Sequence, residues 1–168
     1  MLTRQLALIL LFLNFSCGQV QPTNEEIEKA FQEVNNKTLW KELEERVYSD
    51  QYYRGMMGGL DRDSKNFQKQ KDSIWQLQLA VDYKNTKRMI DLTHRYGYLD
   101  PNRTGRPIRV WVLFHHAPKE YHQEIKALIE REYQAKRMDS IAYRMTLWHL
   151  NGRKGLPEGT GLQIIDNR

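Results

Sequence analysis

The amino-acid sequence predicts an all-α fold: a compact antiparallel helical bundle of about five helices, followed by an irregular C-terminal tail. Three observations carry this. Apolar residues recur at steps of three and four along most of the chain from residue 25 to 150, the spacing of one helix face. The breaks between these stretches are made of Gly, Asn, Asp and Pro. The one run that suits a strand, Ile108–Phe114, has no evident partner strand, so a short buried helix is preferred, although periodicity alone leaves both open.

Residues 1–17 read as a secretory signal peptide of the lipoprotein type. Arg4 supplies the positive end, and Leu6–Leu13 is an unbroken apolar run, too short to span a bilayer. Cys17, the single cysteine, stands where such a signal places its lipid acceptor. The lipobox is partial, because Ser16 fits but Asn14 stands where Leu is usual. The alternative is an ordinary signal cleaved after Gly18. Under either reading no intramolecular disulfide can form, so an exported domain must be held by its core. Residues 18–24 form a polar tether, 25–150 the helical domain and 151–168 the tail.

Within the domain, Ile27, Ala30, Phe31 and Val34 mark a first helix, interrupted at Asn35-Asn36. A second carries Trp40, Leu43, Val47, Asp50 and Arg54, so the last two continue an apolar stripe. Gly55, Gly58 and Gly59 weaken it, and Leu60–Asn66 is a polar connection. A long helix from about Ser73 to Tyr96 has the stripe Trp75, Leu79, Asp82, Asn85, Met89, Leu92 and Tyr96, with Gly97 as its stop. Asp100–Gly105 is a loop by composition. Pro118 is placed to begin a helix carrying Tyr121, Ile125, Leu128, Ile129 and Glu132. Asp139 or Ser140 caps the last helix, with Ile141, Met145 and Trp148 on one face and Asn151-Gly152 at its end.

Asp50-Gln51 with Arg54, Asp82 with Asn85, Tyr96-Gly97-Tyr98 and His116-Ala117, in this order and spacing, resemble the bacterial domain-of-unknown-function family numbered 6624 over roughly Leu43 to Gln163. The resemblance implies a mainly helical, often exported domain, and no known reaction. Two departures stand out. The family usually carries an Asp-Arg pair in its last helix, where this chain reads Tyr143-Arg144-Met145. The family's Tyr-Gly-Thr-Gln ending is loosened here to Gly159-Thr160-Gly161-Leu162-Gln163.

Asp50, Arg54, Asp82, Asn85 and His116 are the candidate site residues. The first four face the core on two helices, and charges there must be paired. Asp50 with Arg54 and Asp82 with Asn85 are expected to pair at short range, as a structural network that fixes helix register. In a cleft the same five could polarise a water, with His116 as acid or base. His115, His116 and His122 lack the one-turn spacing of an HExxH zinc site, and adjacent histidines on a helix point about 100° apart, so no metal and no cofactor is expected. His94 and His149 are read as helix-surface or capping residues.

The 26 bases and 21 acids are interspersed, giving a net charge of +5 without the acid-free basic stripe of a nucleic-acid surface. No nucleic-acid partner is therefore expected. The expected partners are a membrane, through a lipid on Cys17, and an unknown envelope protein or small ligand. The function expected is a non-catalytic envelope binding or scaffold domain, facing the periplasm or the outside. The alternative is a small hydrolase built on the Asp/Arg/Asp/Asn/His cluster.

Overall fold

The computed structural model of the chain describes residues 21–34, 37–155 and 157. The signal peptide, Cys17, Asn35-Asn36 and the Gly159–Gln163 motif lie outside the described residues. Seven α-helices occur among those residues: α1 (Asn24–Val34), α2 (Lys37–Gly58), α3 (Phe67–Tyr96), α4 (Pro101–Thr104), α5 (Trp111–His115), α6 (His122–Gln134) and α7 (Ser140–Leu150), with a 3-10 turn at Lys119–Tyr121 before α6. The all-α bundle expected from the periodicity is what forms. The count rises above five mainly because α4 and α5 are single short turns.

α3 is the spine. It packs on α1, α2, α5 and α6, while α7 closes the far side against α5 and α6. The reason lies in its composition. Met89, Ile90, Leu92 and Tyr96 are buried in its C-terminal half, where neighbours surround it. Its N-terminal half faces fewer elements and begins at Phe67, about two turns before the expected start. There the stripe is corrected: Trp75 is 41% exposed and Gln78 is buried. Among the described residues no helix is long and apolar enough to cross a membrane.

The loop expected at Asp100–Gly105 is helix α4. Pro101 occupies its first turn, where a missing N–H costs nothing, and the Asp100 carboxylate accepts from Asn102 N at 2.7 Å. The ambiguous run resolves as a tight turn, with Val110 N bonded to Ile108 O at 3.0 Å, leading into helix α5. Ile108, Val110, Val112, Leu113 and Phe114 are all buried, which is why no single face could be read from it. Pro118 caps the 3-10 turn, one step before the helix it was expected to begin. Asp139 is the cap of α7, accepting from Ile141 N and Ala142 N through Oδ1. Of the face expected on α7, Ile141 is 56% exposed and Met145 and Trp148 are half-buried, while Thr146 and Leu150 are the buried residues.

Gly97 ends α3 for two reasons. Its φ is +74°, a region open mainly to glycine, and a Cβ there would lie 2.7 Å from Arg137 Cδ. That contact belongs to a buried ion knot. The Glu132 carboxylate is fully buried and accepts from Arg137 Nε at 2.6 Å, Arg131 Nε at 2.7 Å and Tyr98 N at 2.8 Å. Burial alone would raise its pKa, but the hydrogen bonds from Arg137 and Tyr98 and the two guanidinium charges hold it below the usual carboxylate range. Through Asn24 and Glu28, Arg137 also ties α1 to α6.

Candidate functional site

Four of the five candidate residues come together between α2, α3 and the end of α5. Asp50 and Arg54 are one turn apart on α2, with Arg54 Nε 3.7 Å from Asp50 Oδ2. Across the helix pair, Arg54 donates through one nitrogen to both oxygens of Asp82, at 2.8 and 2.7 Å. His116, just past α5, donates through Nδ1 to the Asp50 carboxylate, 2.8 Å from Oδ2. Gln78, one turn before Asp82, donates to its Oδ1 at 2.6 Å, and Gln51 donates to Asp50 at 2.5 Å. Asp50 and Asp82 are 1% and 4% exposed, so the two carboxylates are sealed and each is held by two or more donors. Burial raises the Asp82 carboxyl, opposed but not cancelled by Gln78 and Arg54. Two atoms of the cluster, Arg54 Nε and Gln78 Oε1, are buried without a hydrogen-bond partner.

Asn85 does not join this cluster, and the expected Asp82–Asn85 pair does not form. Asn85 sits nearly one turn further along α3 and bridges α2 elsewhere: it accepts from Arg46 at 3.2 Å and donates to Ser49 Oγ at 3.2 Å. Arg46 and Arg88 then clamp Glu42, and the Arg88 hydrogen bond lowers that carboxyl to about 2. The two polar positions on the α3 stripe therefore serve two separate ties to α2.

His115 and His116 diverge as adjacent helical residues should. His115 turns away from Asp50, bonds Thr146 Oγ1 through Nε2 at 3.2 Å, and stacks on His149 with ring centroids 3.7 Å apart. Trp111 lies against its other flank at 4.6 Å. His149, expected as a helix-surface or capping residue, is thus a partner of His115, with its Nδ1 3.0 Å from the Met145 carbonyl oxygen in the last turn of α7. Burial, aided by the charges of His149, His116 and Arg153, pushes the His115 imidazole down to about 3, and burial lowers His149 as well. Both rings are neutral near pH 7. Among the described residues no group of three or more His, Cys, Asp or Glu is placed to hold a metal ion, and His122 is occupied with the Ala117 carbonyl at 3.0 Å.

These rings line a groove of about 660 Å³ between α4, α5 and α7, together with Trp111, Met145, Ile141 and Ala142, with Asp100 and Asp139 at its rim. A groove of this size, mostly apolar with a few polar groups, has the character of a small-molecule site. Sequence reasoning missed it because its walls come from three stretches that only the topology joins. The partly exposed apolar face of α7 was its one local sign. The charged cluster and the groove are chemically different: one spends its charges on itself, the other presents an aromatic and apolar surface with two aspartates at one end. Comparison of the chain with protein-family models gives no match, and no curated protein and no solved structure matches it.

Proposed function

We propose that this chain is an exported, lipid-anchored helical domain that binds an envelope component without transforming it. Cys17 carries the lipid, and residues 18–24 tether the domain to the membrane surface. The observation that supports the binding role is the division of labour above. Both carboxylates of the charged cluster are buried and tied up with Arg54, His116, Gln51 and Gln78 in an inter-helix lock, while the accessible concavity is walled by Trp111, Met145 and neutral imidazoles with Asp100 and Asp139 at one end. The resemblance to an often-exported helical family points the same way. Metabolic labelling with a clickable fatty acid tests the tether. Wild-type protein is expected to take up label and sediment with membranes, and Cys17→Ala is expected to do neither; equal labelling of the two would remove the anchor from this reading.

A second reading, a small hydrolase, is favoured by one specific feature. His116 is held by a buried carboxylate as a catalytic base would be, and Gln78 Oε1 and Arg54 Nε have no partner beside it. It predicts that His116→Gln leaves the melting temperature unchanged and abolishes turnover of an ester or amide substrate. The binding reading predicts the reverse: the melting temperature falls, and no turnover is there to lose.

A further inference from the structure

The groove between α4, α5 and α7 has two unlike ends. One is aromatic: the rings of His115 and His149 stacked on each other, with the Trp111 indole tilted 47° beside His115. The other is Asp100 and Asp139, close enough that the Asp139 carboxylate, after burial, helps to raise the Asp100 carboxyl. Both aspartates cap helices, and both do so through Oδ1: Asp100 toward Asn102 N, Asp139 toward Ile141 N and Ala142 N. The two carboxyls also lie within hydrogen-bonding reach of one another, and burial together with this contact raises Asp100. A cation beside the pair favours the ionised form of both. The Arg153 charge, after burial, helps to keep both imidazoles neutral. The groove is thus polarised along its length, negative at the aspartates and uncharged at the aromatic end.

We propose that this groove binds an organic cation: an aromatic or otherwise apolar body carrying an ammonium group, the body packed beside Trp111, His115 and His149 and the ammonium at the Asp100 and Asp139 end. This rests on the groove being the domain's binding surface. The selectivity follows from the wall. Neutral imidazoles do not repel a cation, the indole face attracts one, and the two aspartates repel a carboxylate or phosphate. The apolar side chains of Met145 and Ala142 set the width available to the body.

The test is calorimetric titration of the full-length protein with three probes that share one body: tryptamine, tryptophol and indole-3-acetate. Tryptamine is expected to bind about tenfold tighter than tryptophol, as one charge-assisted contact would give, and indole-3-acetate more weakly than either. Asp139→Asn and Asp100→Asn keep a competent helix cap, since Asn serves as well as Asp there. Each is expected to bring tryptamine down toward tryptophol while leaving tryptophol unchanged. Trp111→Ala is expected to weaken all three. Equal affinities for the three probes, or a tryptamine preference that survives both Asn variants, would overturn the cation assignment and leave the groove as a neutral site. If none of the probes binds at millimolar concentration, the groove is not the binding surface and the proposal fails with that reading.

Discussion

His115 and His116 are consecutive in the chain and belong to opposite regions of the molecule. His116 reaches toward α2 and closes a lock with Asp50, Arg54 and Asp82, in which the two carboxylates are bound by several donors. His115 reaches toward α7 and joins a groove, where it keeps one nitrogen on Thr146 and leaves Nδ1 buried without a partner. The difference shows how one short helix serves two purposes. Its apolar residues Val112, Leu113 and Phe114 fill the core, and the helical turn then delivers one imidazole to each side. Both sides leave a buried nitrogen without a partner, Arg54 Nε in the lock and His115 Nδ1 at the groove, but the lock pairs its charges through other atoms and the groove's rings are neutral.

The largest effect that separates the two regions is expected from truncation. Asp82→Ala leaves Arg54 and Gln78 without their shared acceptor in a sealed site, and breaking a buried pair from one side costs about 3 kcal/mol. Trp111→Ala, at the partly exposed groove wall, is expected to cost about half as much. Urea denaturation of both variants checks the order through the midpoint, with the slope unchanged. If Trp111→Ala proves the more damaging, the groove is part of the core and the contrast collapses.

Acid should sharpen the contrast, because the two regions respond with opposite sign. In the unfolded chain His115 takes a proton near pH 6.5, and in the folded protein only near 3. The unfolded state therefore binds more protons between these values. The stabilisation from the neutral ring is complete above pH 6.5 and is lost as pH falls toward 3, amounting to a few kcal/mol at most. Asp82 works the other way. Its carboxyl is raised by burial, so the folded state binds the extra proton, and this term gains stability as pH falls through the window just above the unfolded value of 3.8. His115→Phe is expected to flatten the loss between pH 6.5 and 4, and Asp82→Asn is expected to steepen the net acid loss below pH 5. Thermal melts across pH 3 to 7 give both slopes.

Much of the lock was legible in the sequence and almost none of the groove, for a physical reason. Asp50, Arg54 and Asp82 interrupt apolar stripes at helical spacing, and a charge on a buried face announces that partners exist. The pairing itself was misread at Asn85, because the sequence shows which face a residue takes but not which residue stands opposite across two helices. Gln78 escaped because Trp75, one turn earlier, is the apolar residue that periodicity prefers, although α3 has no neighbour there to cover it. The cap at Asp100 with Pro101 carried a helix-start signal that the Gly- and Asn-bearing composition of the segment obscured. The groove draws on residues 100–102, 111–115 and 139–149, and no local pattern joins stretches that meet only when α7 folds back on α5.

The smallest effect worth measuring concerns the polar tie that His115 makes at the groove. Thr146 is fully buried on α7, and its hydroxyl is 3.2 Å from His115 Nε2. Thr146→Val keeps the shape and removes that partner, leaving both nitrogens of a buried imidazole without one. A single neutral hydrogen bond is worth about 1 kcal/mol, so a loss of that size in the urea midpoint is expected. His115→Phe should rescue most of it, since the double variant leaves no orphaned group; a cycle of the two single variants and the double one measures the coupling directly. Should the coupling vanish, Thr146 is not what orients His115, and the stacking on His149 alone holds the ring at the groove wall.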